Sequence, residues 1–196
     1  MNSVNVLNIS NYNINISEAL RYMGAFNSSD DRLNSLTDAI SKELLKTCRP
    51  LACYIQSEVK MDGDLLNFGF FSVKSADLAK NLRGCKRAFI FAATLGADFD
   101  RLLKLKQITS PTEALVLDAV GSAAIESVCN EFELLIMKKY SCKLKPRFSS
   151  GYGDFNLSFQ KNITDILKTK QKIGLAVSDS LMLIPTKSVT AIIGLE

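Results

Sequence analysis

The stretch Arg147-Phe148-Ser149-Ser150-Gly151-Tyr152-Gly153-Asp154-Phe155 puts one permanent cation, two glycines and an aromatic ring into a segment with neither helical nor strand periodicity. An arginine offers a planar fork of donors that matches a carboxylate or phosphate two bonds at a time. Gly151 and Gly153 reach backbone angles closed to other residues, so main-chain amides can come close to a ligand. Tyr152 between them adds a flat face with a polar tip. A surface turn with an incidental arginine has the same composition. Glu126 is a second candidate, in a small and apolar stretch on the side of Ser122 and near Cys129 and Asn130, where an unpaired carboxylate is costly. A helix-borne glutamate can equally be solvated. If Glu126 faces the loop, it and Arg147 form a charge pair suited to the two ends of an amino acid, ammonium on the glutamate and carboxylate on the arginine.

The 196 residues include no histidine. Ser-His and Cys-His nucleophile pairs, histidine metal sites and histidine proton shuttles are thereby excluded. Any reaction must draw its reactive centre from a cofactor or a partner, and we expect no catalytic residue and no metal ligand in the chain itself. There is no GxxxxGK[ST] loop, and Gly151-x-Gly153 lacks the third glycine and the preceding strand of a dinucleotide site. Cysteines at 48, 53, 85, 129 and 142 are odd in number and without CxxC spacing, which points to reduced thiols in a cytoplasmic protein. The near-apolar run 88–97 is far shorter than the ~20 residues of a bilayer span, and the first residues form no signal-peptide pattern. No membrane association is expected. A net charge of +4 favours anionic partners but falls short of a dedicated nucleic-acid binder.

The elements that must carry these residues are legible in outline. A short helix is expected over 18–23, with Ser17 as N-cap and Gly24 closing it. A second begins near Ser29 and aligns Leu33, Leu36, Ile40 and Leu44. After Pro50, Ile55, Ser57, Val59 and Met61 alternate with polar residues as in a half-buried strand. The Asp62-Gly63 turn pairs that strand with 65–73. Ser75 caps a short helix ending near Gly84, and 87–94 is a strand too apolar to face water on either side. A helix over 98–106 follows. The capping box Ser110-Pro111-Thr112-Glu113 then opens the longest helix, to about Tyr140. Its Gly121-Ser122-Ala123-Ala124 patch admits either tight packing on the sheet or a ligand. Phe159, Ile163, Ile166 and Leu167 mark a further helix ending before Gly174, and 175–195 reads as two strands parted by Pro185. The fold class is α+β, one domain over 1–196, with a central twisted antiparallel sheet and flanking helices.

These residues resemble the activation domain of cobalamin-dependent methionine synthase, especially its free-standing form. The family binds S-adenosylmethionine through an Arg-x-x-x-Gly-Tyr-Pro loop, which Arg147, Gly151 and Tyr152 match. The resemblance runs back through Phe91-Ala92-Ala93-Thr94-Leu95-Gly96 and the 123–130 helix, where Glu126 matches an acidic ligand-contacting position. It runs forward through Ser178-Asp179-Ser180 and Pro185 to Ser188-Val189. It covers most of the chain after about residue 72, and 15–24 is similar to the start of the free-standing members. Gly153 stands where the family loop has proline, an acidic residue near the start of the longer enzyme's domain has no counterpart, and the tail after its final strand is missing beyond Glu196. The resemblance implies a ligand set of Glu126, Arg147, Ser149, Gly151, Tyr152 and Gly153. It also implies a role in reductive methylation of cob(II)alamin, with the cobalamin carried by a partner methionine synthase module and a flavodoxin-like protein as electron donor.

Other readings stay open from the residues alone. Lys138, Lys139, Lys143, Lys145 and Arg147, with Tyr140 and Phe148, could grip RNA phosphates and stack bases. The same lysines suit the negative C-terminal end of a long helix. The chain could also serve another corrinoid methyltransferase, or keep the fold as a scaffold without the ligand.

Overall fold

Alternate side chains of the 87–94 run point to opposite faces, and from Ala88 onward every one is buried, so this strand must be central. The computed structural model describes residues 3–25 and 30–196. In chain order its elements are β1 (Asn5–Asn8), α1 (Ile16–Tyr22), α2 (Asp31–Thr47), β2 (Leu51–Glu58), β3 (Lys60–Asp62), β4 (Leu65–Asn67), β5 (Ser72–Lys74), α3 (Ala76–Asn81), β6 (Arg87–Thr94), α4 (Ala97–Thr109), α5 (Pro111–Tyr140), α6 (Phe159–Leu167), α7 (Thr169–Ile173), β7 (Ala176–Val177), β8 (Leu183–Ile184) and β9 (Ser188–Leu195). The main sheet has the order β1-β2-β6-β9 and is antiparallel throughout. The expected α+β class with an antiparallel sheet and flanking helices is the observed one.

Period-two alternation divides the core in two. Tyr54, Phe89, Phe91, Ala191 and Ile193 face α5 and the helices around it. Cys53, Ile55, Ile90, Ala92 and Ile192 face α6, α7 and the small β3-β4-β5 sheet. Phe132 of α5 stacks on Phe91 with ring centroids 4.6 Å apart, and Tyr54 meets Phe132 edge-on at 5.5 Å. Such pairs contribute about 0.5–1.5 kcal/mol each beyond their burial. Their positional effect matters more here, because they fix the rotation of α5 about its axis and hence the direction of Glu126, Asn130 and Glu133.

Several expectations need correction. The cap of α1 is Asn15, whose side chain accepts from Glu18 N at 3.2 Å; Ser17 already lies inside the helix. The expected start at Ser29 lies outside the described residues, and α2 is capped by Asp30, which accepts from Arg32 N and Leu33 N. The alternating 55–61 run is two strands. Residues up to Glu58 pair with β6, whereas only Lys60–Asp62 pairs across the Asp62-Gly63 turn. Val59 marks the break, its amide donating to Lys86 O. The segment expected to be two strands is three, since β7 and β8 form a small hairpin before β9. The helix expected to reach Gly174 is broken at Lys168, which sits at φ +51°. Within the small patch of α5, Gly121 lies against a helix, where a Cβ would clash with the Phe99 ring of α4, while Ala123 and Ala124 are buried in the core cluster that includes the sheet residues. The asparagine-rich start contributes β1, an edge strand whose residues are half-exposed, so its apolar signal is weak.

Candidate functional site

Arg147 reaches its place because the chain leaving α5 runs antiparallel along the free edge of β9. Lys145 N donates to Gly194 O, and Phe148 exchanges amide and carbonyl bonds of 2.9 Å with Ile192. This pairing covers an otherwise open sheet edge. It also suspends the guanidinium over the polar stripe of α5, where Glu126, Asn130 and Glu133 recur at helical spacing. Arg147 Nη1 donates to Asn130 Oδ1 at 2.9 Å and to Glu133 Oε1 at 2.5 Å, while Nη2 donates to Glu126 Oε2 at 2.5 Å. Burial opposes the charge on Arg147, but the bonds to Glu133 and Glu126 hold its pKa above the ordinary arginine value. The neighbouring Cys129 thiol is itself pushed up to about 12 by burial, so at neutral pH it is protonated and adds no charge.

Glu126, Arg147, Ser149, Ser150 and Tyr152 share a cleft of about 460 Å³ with Gln160, Leu183 and the start of β9, Ser188, Val189 and Thr190. Ser150 and Thr190 are 5% and 2% exposed, and neither hydroxyl has a hydrogen-bond partner. A buried hydroxyl without a partner loses about 1–3 kcal/mol relative to one that is bonded. Both hydroxyls belong to residues that line this one cleft. Tyr152 stands at the mouth, 68% exposed. Of the residues expected at a ligand, Glu126, Arg147, Ser149 and Tyr152 line the cleft, whereas Gly151 and Gly153 lie outside its lining. Both have positive φ, +93° and +53°, and they shape the turn that presents Tyr152. The Gly151 amide donates to Phe155 O at 2.7 Å instead of pointing to open space. A Cβ at Gly153 would displace the Asp77 carboxylate, and the backbone there is in the left-handed region that disfavours other residues.

Asp154 secures the far end of the turn. It accepts from Ser75 Oγ, from Ala76 N at 2.7 Å and from Asp77 N at 3.2 Å, capping α3 from outside it. These bonds, that of Ser75 foremost, hold the Asp154 pKa below its ordinary value. On the opposite wall, Gln160 Nε2 donates to Leu181 O, tying α6 to the β7–β8 hairpin. Ser188 Oγ donates to Thr94 Oγ1, which also accepts from Gly96 N.

The site contains residues that reading along the chain passed over. Ser150 and Thr190 gave no signal, since their importance is burial without a partner. Asn130 and Glu133 were accessible through the i, i+4, i+7 spacing from Glu126, had the arginine's position been known. A larger cleft of about 520 Å³ lies between α6–α7 and 176–181, lined in part by Lys161, Lys168 and Asp165. None of its lining hydroxyls is buried without a partner, in which it differs from the Arg147 cleft. The basic segment is largely engaged within the protein: Lys139 bonds Tyr54 Oη at 2.8 Å, Lys145 pairs with Glu196, and Arg147 holds α5. Among the described residues no helix is long and apolar enough to cross a membrane.

No family model and no curated protein sequence matches the chain. Among solved structures it is similar to one described as the crystal structure of the MetH reactivation domain bound to AdoHcy, with a TM-score of 0.75 and 12% sequence identity. The match covers 98% of this chain and 78% of that one. At this identity the likeness establishes a shared fold, and at that level the resemblance read from the sequence holds.

Proposed function

We propose that the Arg147 cleft binds S-adenosylmethionine and that the protein supports reductive reactivation of a cobalamin-dependent methionine synthase by methylation of cob(II)alamin on a partner module. The observation that carries the reading is the pairing of Arg147 with Glu126 at the wall of a cleft holding two buried, unpartnered hydroxyls. An α-amino acid needs both signs of charge within one grip. Arg147 takes the carboxylate through its fork, and Glu126, 45% exposed and facing the cleft, takes the ammonium. Ser150 and Thr190 supply hydroxyls to the polar atoms that follow. Tyr152 offers a face at the mouth. The neighbour that shares the fold carries AdoHcy, the demethylated form of the same ligand, in support.

The reactive centre would belong to the corrin of the partner module, reduced by a flavodoxin-like donor, and the sulfonium held by this chain would offer an already activated methyl group. What remains for this chain is placement. The amino-acid end is fixed by Arg147 and Glu126, the turn is fixed by Asp154 on α3, and the cleft stays open on the Tyr152 side for the partner to approach. A histidine-free chain is suited to that division of labour, since no proton needs to be moved by it. Calorimetric titration with S-adenosylmethionine tests the reading: saturable one-site binding is expected, and the absence of heat and of protection against thermal unfolding at millimolar ligand refutes it.

A further inference from the structure

The cations and anions around the cleft do not cancel. Glu126 and Arg147 are the charged residues among those lining it. Glu133 is not part of the lining, yet it is bonded to the same guanidinium from behind, with its side chain 22% exposed. One arginine therefore serves two carboxylates. When an α-carboxylate of a ligand arrives at Arg147 and its ammonium takes Glu126, those four charges balance and the Glu133 charge remains over. A ligand with one further positive charge restores neutrality; a zwitterion without it does not.

We infer that Glu133 is a specificity-determining residue that makes the site prefer a cationic sulfonium ligand over its neutral thioether counterpart, an inference that rests on the proposed S-adenosylmethionine reading. The geometry gives the charge persistence. Glu133 shares Nη1 with Asn130 and lies on the α5 turn next to Phe132, whose stacking on Phe91 fixes the helix. It is thus held in place whether or not Glu126 swings to the ligand. The consequence is asymmetric: a methyl donor enters a site carrying complementary charge, and the demethylated product leaves one in which that complement is lost. A fixed unit charge beside a half-open cleft shifts relative affinity by about three- to tenfold.

The experiment measures the dissociation constants of S-adenosylmethionine and S-adenosylhomocysteine for the wild type, Glu133→Gln and Glu133→Asp. Glutamine keeps an acceptor for Arg147 but removes the charge; aspartate keeps the charge on a shorter arm. The expected result is that the ratio favouring the sulfonium narrows by about three- to tenfold in Glu133→Gln and is retained in Glu133→Asp. A ratio in Glu133→Gln within twofold of the wild type overturns the inference while leaving the ligand assignment standing. A narrowing in both variants makes the effect one of geometry and overturns it too. If the folded wild type binds neither ligand, the ligand assignment itself fails and the inference with it.

Discussion

Truncation of Arg147 to alanine separates the two roles its position gives it. In the free protein its fork satisfies Glu126, Asn130 and Glu133 together, so alanine leaves two carboxylates on one helix face without a counter-ion. The arginine side chain is 21% exposed and Glu126 is 45% exposed, so solvent screens part of that loss. A discounted figure of about 1 kcal/mol applies to the Glu126 pair, with about 1.5 kcal/mol for the less exposed Glu133 bond. Global stability should therefore fall by about 2–3 kcal/mol, read from the denaturant midpoint at neutral pH. For the ligand, the lost contact is a charge-assisted bond to the α-carboxylate worth about 1.5–3 kcal/mol, a weakening of roughly 10- to 150-fold in Kd. Arg147→Lys is the informative companion, because an ammonium keeps the charge without the planar fork. It should recover less than half of the binding loss. Calorimetry on folded Arg147→Ala that returns the wild-type affinity for S-adenosylmethionine would remove the arginine from the site and refute the reasoning.

Thr190→Val replaces an unpartnered buried hydroxyl with an isostere, so stability should stay within 0.5 kcal/mol or rise, while S-adenosylmethionine affinity falls roughly two- to tenfold, as loss of one neutral hydrogen bond implies; equal affinity would show that this hydroxyl does not meet the ligand. The Asp154 cap works through a carboxylate whose folded pKa lies below its unfolded value. Its contribution is therefore complete above the ordinary pKa of 3.8 and is lost as pH falls through the lower folded value. Asp154→Asn should lower the unfolding temperature at pH 6, with the difference from wild type closing in strong acid; a gap constant with pH would assign the effect to packing. Burial raises the thiols of Cys53 and Cys129 to about 12, and Cys48 and Cys85 are also buried while Cys142 is partly exposed. Iodoacetamide at pH 8 should modify Cys142 first in the native protein and all five after denaturation, as mass spectrometry of the digest would show.

Much of the architecture was written in local patterns. The Ser110 capping box and the long apolar periodicity after it mark α5 to its last residue, Tyr140, and the unbroken apolar run 87–94 marks the central strand. Those signals depend on a few neighbouring residues and survive any tertiary arrangement. The misjudged elements are those whose state depends on distant partners. The alternating 55–61 run looks like one strand because alternation is blind to which neighbour each half pairs with. The edge strand β1 leaves little apolar signal because it needs only one buried side.

Composition alone removed histidine chemistry, and residue types at short spacing put Arg147, Tyr152 and Glu126 forward as binding residues. Only the folded chain decided which groups meet. Glu133 stands fourteen residues from Arg147, and Thr190 sits on the last strand, yet α5, the 144–148 edge segment and β9 bring Arg147 and Thr190 to one cleft and bond Glu133 to the arginine on its wall. Charge balance and the loneliness of a buried hydroxyl are properties of three-dimensional neighbourhoods. They arise when packing excludes water from some polar atoms and hands others a partner, and spacing along the chain carries no record of that choice.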